Sequence, residues 1–270
     1  MRPGLLNMQD SDVIRTLIVG DIVGNGGLKK IFFHLKSLKD KYNIDLTIVN
    51  GENSSGGFGI TPEIAENLFK TGVNVITTGN HIYADPSIRE YLNKQEYILR
   101  PNNFSDLLEG HGHCILNVKG EKVAVINIQG FLGMTFIVKN PFENVKKVIN
   151  MIKNKVKTIF VDFHAESNYE KESFGYFLNG LVTGVVGTHT HIMTCDERIL
   201  DKGTAYITDL GMTGSLNSVI GFNPEISLKG LLEYISLRTE TVEEDVIIQG
   251  VVITSHLYTG RALKIERIQK

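Results

Sequence analysis

Residues 181–191 read LVTGVVGTHTH. The run Leu181 to Val186 is short, apolar and β-branched, and Gly180 and Gly187 bound it. That pattern predicts a buried strand ending in a tight turn. Two histidines, His189 and His191, stand in the turn. In extended backbone, residues two apart point to the same side, so both imidazoles can reach one place. Imidazole is the commonest protein metal ligand near neutral pH. Paired histidines also occur in ordinary exposed loops, so the other strand ends have to decide.

Upstream of this stretch, Thr158 to Phe163 predicts a strand with His164 at its end, and Ser167 to Asn179 a helix. Downstream, Thr204 to Thr208 predicts a strand ending in DLGMTG (209–214). Asp209 there either orients a ligand histidine or caps the turn. Near the amino end, Val13 to Gly20 reads as a strand with Asp21 immediately after it. Gly24, Gly26 and Gly27 follow, then a helical pattern from Leu28 to Lys41. The glycines lack the last position of a dinucleotide fingerprint and do not form a P-loop. They make either a flexible loop or a close backbone approach to a site that includes Asp21.

Leu46 to Val49 predicts a strand ending in NGEN (50–53), which sets Glu52 beside Asn53. Thr61 and Pro62 predict a helix start, and Gly72 its stop. Val73 to Thr78 predicts a strand ending in GNH (79–81), which carries Asn80 and His81. Tyr83 follows in the same loop, before a short helix to Asn93. A short strand at Ile98 and Leu99 leads to RPNNF (100–104), where Arg100 serves as a phosphate contact or in a salt bridge. Cys114–Val118 with Lys122–Ile128, and Val246–Thr254 with Ala262–Ile268, read as hairpins. Residues 141–155 form an amphipathic helical pattern. His111, His113 and His256 read as surface residues.

Strands alternating with helices, with hairpins interspersed, predict an α/β fold with helices outside and two packed sheets. In open α/β sheets, sites form beyond the carboxyl ends of strands. Five such ends carry Asp21, Glu52-Asn53, Asn80-His81, His164 and His189-x-His191. Five independent ends, each with oxygen or nitrogen donors, are hard to explain as loop composition. The set contains no thiol, which argues against a structural zinc site. Mixed oxygen and nitrogen ligands suit iron, manganese or zinc. The donors exceed the needs of one open catalytic ion, whereas two ions about 3.5–4 Å apart would use them.

Composition sets the remaining bounds. At 270 residues and 42% hydrophobic, the chain can bury a full core as one domain, 1–270. Residues 1–12 read as a flexible amino-terminal extension without a signal-peptide core. No apolar run approaches a membrane span, and a net charge of -2 shows no basic block for nucleic acid. Two distant cysteines, Cys114 and Cys195, make no disulfide framework and point to a reducing cytoplasm.

Taken together, GD, GEN, GNH, a strand-end His and GTHTH resemble the calcineurin-like metallophosphoesterases. The stretches VGDIVGNGG, IVNGENSSGGFGIT, ITTGNHIYAD, LRPNNF, VDFHAE, VVGTHTH, KGTAYITDLGMTG and KIERI are similar to the small bacterial branch of 2',3'-cyclic-nucleotide 2'-phosphodiesterases. The resemblance implies a four-layer α/β/β/α sandwich and a two-metal site. It implies Asp21, Glu52, Asn53, Asn80, His164, His189 and His191 as metal-site residues, with Glu52 bridging and His81 as the catalytic histidine. The metals would be iron or manganese, with zinc or magnesium as alternatives. The implied reaction is hydrolysis of a phosphodiester, such as a 2',3'-cyclic nucleotide, by a metal-bridged hydroxide. A nucleotide phosphomonoesterase and a metal-binding regulatory protein with little turnover are the alternatives. A nucleotide or other small phosphate ester, RNA ends and a second copy of the chain are the expected partners. There are departures: no histidine follows Asp21 by two residues, so one metal would lack a usual imidazole and the GEN stretch must compensate, whereas Ile82-Tyr83 after His81 and Ser54-Ser55-Gly56-Gly57 after GEN fall in loops that could line the substrate pocket. Tyr83 and Arg100 are the candidate substrate contacts.

Overall fold

The computed structural model describes residues 10–237 and 239–270. Of the expected amino-terminal extension, residues 1–9 lie outside the described part, and Asp10–Asp12 form a short 3-10 turn.

One sheet is built around β1 (Val13–Ile22). On one edge β1 pairs in parallel with β2 (Leu46–Asn50), which pairs with β3 (Val75–Thr77). On its other edge β1 pairs antiparallel with β12 (Gln249–His256), which pairs with β13 (Ala262–Gln269). Beyond Val19 that edge passes to β10 (Met212–Ser215), which carries β11 (Val246–Ile247). The second sheet runs β4 (His113–Val118), β5 (Glu121–Gln129), β6 (Thr158–His164), β7 (Gly184–Thr188), β9 (Ala205–Ile207), β8 (Arg198–Ile199).

Three separate apolar cores show how the layers stack. Leu17 and Val19 of β1 pack with Leu28, Ile31, Leu35 and Leu38 of α1 (Gly24–Tyr42) and with α2 (Pro62–Thr71) and α3 (Ile88–Lys94). Ile14 and Ile18, on the opposite face of β1, pack against Val123, Val125, Phe160 and Val186 of the second sheet. Ala124, Ile126 and Ile128, alternating with Val123 and Val125, pack under α4 (Pro141–Ile152) and α5 (Asn168–Leu178). Period-two burial thus feeds different cores from successive residues. The result is helices, sheet, sheet, helices: the expected four-layer sandwich.

Several boundaries moved. Leu181 to Thr183 turn before the strand, and β7 begins at Gly184 and extends through Thr188. α1 starts at Gly24 rather than Leu28, so the glycine cluster forms its first turn rather than a loop before it. A Cβ on Gly27 would lie 2.4 Å from the carbonyl oxygen of Thr213, so glycine there seats the helix start directly on β10. The DLGMTG stretch runs into β10, a four-residue strand ordered by its neighbour β1 rather than by its own propensity. α6 (Pro224–Glu233) was not anticipated, because it buries none of its residues and shows no core-facing stripe. Both cysteines are free, Cys114 buried and Cys195 exposed. Among the described residues no helix is long and apolar enough to cross a membrane.

Candidate metal centre

Local geometry aims the donors at the space between the sheets. On β6, Phe160 belongs to the inter-sheet core, so Asp162 and His164, two and four residues on, face the same way. On β1, strict alternation from Leu17 and Val19 would turn Asp21 toward α1. The register shift between Val19 and Asp21 reverses that parity: Ile22 joins the helix-side core and Asp21 faces the second sheet. The bulge requires Gly20, whose Cβ would otherwise stand 2.1 Å from the carbonyl oxygen of Gly211.

The GTHTH turn is not extended, contrary to expectation. His189 has φ 101° and His191 φ 64°, left-handed values that cost a non-glycine residue on the order of 1–3 kcal/mol. The turn is held from both sides. The His189 backbone N–H donates to Asp21 Oδ2 at 3.1 Å. Asp209 accepts from the backbone and the hydroxyl of Thr190 and from Lys171. Asp209 therefore anchors the residue between the two histidines and touches neither ring.

Hydrogen-bond partners fix which nitrogen of each imidazole carries the proton. Thr188 Oγ1 donates to Asp162 Oδ1 at 2.7 Å, so it accepts from His164 Nδ1 at 2.9 Å. His189 Nε2 lies 3.3 Å from the Glu166 carboxylate, and His191 Nδ1 lies 2.8 Å from the carbonyl oxygen of Ile220. The Thr188 and Ile220 oxygens take the N–H of their imidazoles, and the Glu166 charge beside His189 Nε2 favours the proton on that nitrogen. The other nitrogens, His164 Nε2, His189 Nδ1 and His191 Nε2, are left as bare lone pairs facing inward.

Those lone pairs meet more acceptors. His164 Nε2 is 3.0 Å from Glu52 Oε1, 3.0 Å from Asn80 Oδ1 and 3.1 Å from His189 Nδ1. Ligand atoms of Glu52, His164 and His189 all lie within 4.8 Å of one another. Asp21 Oδ1 is buried without a hydrogen-bond partner, 4.0 Å from His191 Nε2, and Asn53 Oδ1 is also buried and unpartnered. Buried acceptors facing one another without hydrogens between them are costly. A cation resolves both clusters: ligand atoms about 2.0–2.2 Å from one ion lie roughly 3–4 Å apart. The residues therefore fit bound metal.

Electrostatics agree. Burial pushes the Asp21 carboxyl well above the usual carboxylate range, and the charges of Glu52 and Asp209 add to this. Glu52 is raised by burial, against the opposing pull of His81. Burial holds His164 well below its ordinary value and pushes His189 down to about 3. The pocket disfavours carboxylate charge on one side and imidazolium on the other, and the neutral imidazole is the ligand form.

Close approach of the GNH loop depends on Gly79, whose Cβ would lie 2.2 Å from His164 Nε2 and 2.4 Å from Glu52 Oε2. The His81 backbone N–H donates to Glu52 Oε2 at 3.1 Å, and its ring meets Phe58 edge-on at 5.0 Å. Tyr83 lies in the same loop, beside a cavity that Asn80 and His81 also line. Arg100 is placed differently: it is buried and donates to the carbonyl oxygens of Glu109 and Pro101. Arg89, which the sequence did not single out, lines the cavity. Asp162 and Glu166 were also missed. The spacing Asp162-x-His164 on one strand face was the available signal.

The YmdB-like protein family matches residues 17–268. The chain belongs to that family. It is 38% identical over 257 residues to a 2',3'-cyclic-nucleotide 2'-phosphodiesterase of Bacillus subtilis, covering 94% of this chain and 96% of the relative. The crystal structure of a phosphatase from Mycoplasma pneumoniae superposes with TM-score 0.90 at 34% identity, covering 96% of this chain and 94% of that one. A hypothetical protein from Thermus thermophilus does so with TM-score 0.88 at 30% identity, covering 95% and 99%. With this membership and these relatives, the YmdB-like chain is a phosphoric ester hydrolase.

Proposed function

We propose that the protein is a metal-dependent phosphodiesterase acting on 2',3'-cyclic nucleotides or closely related diesters. The observation that carries metal dependence is the inward-facing lone pair of His164 Nε2, within 3.0–3.1 Å of Glu52, Asn80 and His189. His164, His189, Asn80 and Glu52 would hold one cation. Asp21, Asn53 and His191 would hold a second, with Glu52 shared. The donor set suits iron or manganese. Bound cations supply acidified water and neutralise charge on the phosphoryl group.

The chain's own groups do the rest. The peptide N–H of His81 fixes the GNH loop on the pocket floor through Glu52. That leaves the His81 imidazole facing the cavity side, where it donates a proton to the departing ester oxygen. The cyclic diester reading takes its substrate from the Bacillus subtilis relative. The Mycoplasma pneumoniae relative, named a phosphatase, supports a monoesterase as the second reading.

The test is metal analysis of freshly purified protein, then a panel of 2',3'-cyclic nucleotides and nucleoside monophosphates offered to iron- and manganese-loaded enzyme. Cleavage of the cyclic esters, abolished by chelation and restored by metal, supports the proposal. Preferential release of phosphate from monoesters shifts it to the second reading. Full activity in chelator removes the metal from it.

A further inference from the structure

Beside His81 lies a cavity of about 430 Å³ whose lining the chemistry of phosphate transfer does not explain. Its polar side, Asn80, His81, Arg89 and Ser105, adjoins the metal centre, but the larger part of the wall is Tyr83, Phe104, Leu108, Phe136 and Ile137. A phosphoryl group needs cations and N–H donors, and these five side chains offer it little. The volume falls within the range of sites that enclose one small organic ligand, on the order of 300–1,000 Å³.

Two further observations point to an occupant. The inner wall is rigid. The Tyr83 hydroxyl donates to the carbonyl oxygen of Glu109 at 2.6 Å, and its ring stands 6.4 Å from that of buried Phe104. Arg89 lies over the Tyr83 ring at 5.3 Å, stiffening it further. The outer wall is the reverse. Phe136 is 55% exposed and Ile137 fully exposed, although both border the cavity. Apolar side chains left to water beside a catalytic cleft mark surface that a ligand covers.

We propose that this cavity is the seat of the substrate's nucleobase, stacked between the Tyr83–Phe104 wall and the strap that carries Phe136. Aromatic side chains bind bases through their π-faces with little regard to identity. Base-edge readout needs free donors and acceptors, and the polar side chains of the lining are engaged elsewhere: Asn80 at the metal centre, Arg89 over the Tyr83 ring and at Glu109, the Ser105 hydroxyl with the Leu107 N–H, and the Tyr83 hydroxyl with Glu109. The site therefore demands a base and tolerates its identity. The inference rests on the reading of the neighbouring centre as a nucleotide esterase.

Two arms separate that reading from the pocket. In the first, kcat/KM of manganese-loaded enzyme is measured for adenosine and uridine 2',3'-cyclic phosphates and for the abasic ribose 2',3'-cyclic phosphate. The two nucleosides should agree within a few-fold, and both should exceed the abasic ester by about tenfold or more, chiefly through KM. Phe136→Ala, at a half-exposed position, should shrink that ratio. Equal kcat/KM with and without a base overturns the proposal, as does a ratio that Phe136→Ala leaves intact. In the second arm, calorimetry compares adenosine 3'-monophosphate, the product of opening the 2' ester, with ribose 3-phosphate. Tighter binding of the adenosine compound supports the pocket even if no cyclic ester is cleaved, which would be a failure of the diester reading alone. Equal affinities overturn the pocket whatever the turnover.

Discussion

The two sheets bring opposite chemistry to one cleft. The sheet built on β1 delivers oxygen donors: Asp21 after its bulge, Glu52 and Asn53 beyond β2, and Asn80 beyond β3. The sheet built on β6 and β7 delivers imidazoles: His164, His189 and His191. Burial raises the carboxyls on the first and lowers His164 and His189 on the second. A cation between the two halves would offset the burial cost of the carboxylates and take up the lone pairs of the neutral imidazoles. On the proposed function, the metal centre is part of the interface between the sheets, and should be as relevant to stability as to catalysis.

The strongest way to break this comparison is to disable one group from each role. Glu52→Gln removes the carboxylate charge while keeping shape. It should cut kcat by about a thousandfold or more and lower the metal content, because the imidazoles across the cleft lose their counter-ligand. His81→Ala should lower kcat by about 10²–10⁴-fold and leave metal stoichiometry intact, since its proposed part is proton transfer. Metal content and steady-state rates measured on the same preparations decide the matter. Full metal in Glu52→Gln protein would mean the oxygen side is dispensable to binding.

The asymmetry between the sheets also explains what the sequence could and could not reveal. Strand-end donors were visible as motifs, because each sits in a short polar break after an apolar run: Asp21, Glu52-Asn53, Asn80, His164. Two sheets were legible from hairpins among βα units. Elements ordered by neighbours were not: β10 exists because β1 has a free edge beyond Gly20, and α6 buries nothing that would mark it. The spacing in GTHTH implies extended backbone, whereas Asp21 and Asp209 hold the turn in left-handed conformations. The groups that set the tautomers, Thr188 and Asp162 among them, belong to partnerships across strands that no local pattern contains.

A second test removes the ions instead of a ligand. If they join the sheets, chelation should lower Tm by roughly 5–15 °C, the shift expected when a ligand held at about 100–1,000 times its Kd is lost from a domain of this size. Cys114 reports the same event from the layer between the sheets. It is buried there, and burial pushes its thiol up to about 12. In Cys195→Ser protein its reaction with a disulfide reagent should be slow with metal and much faster after chelation. An unchanged Tm and labelling rate would show that the sheets are docked by their apolar core alone.

The smallest expected effect separates positioning from packing. Thr188→Val keeps volume but removes the hydroxyl between His164 Nδ1 and Asp162 Oδ1. Without it the imidazole loses the acceptor that fixes its tautomer, so metal affinity should fall by about 10–100-fold while kcat at saturating metal changes little. Thr77→Val is the matched control. It deprives the same Asp162 of a hydroxyl on the β3 side, without touching the histidine. Asp162 is raised to about 6 by burial and opposed by both hydroxyls, so either variant should cost some thermal stability. Titration of each apoprotein with manganese then reads the difference. A loss of affinity confined to Thr188→Val places the effect on the imidazole. Equal losses in the two variants would assign Asp162 and both threonines to inter-sheet packing, and the tautomer argument for His164 would no longer rest on Thr188.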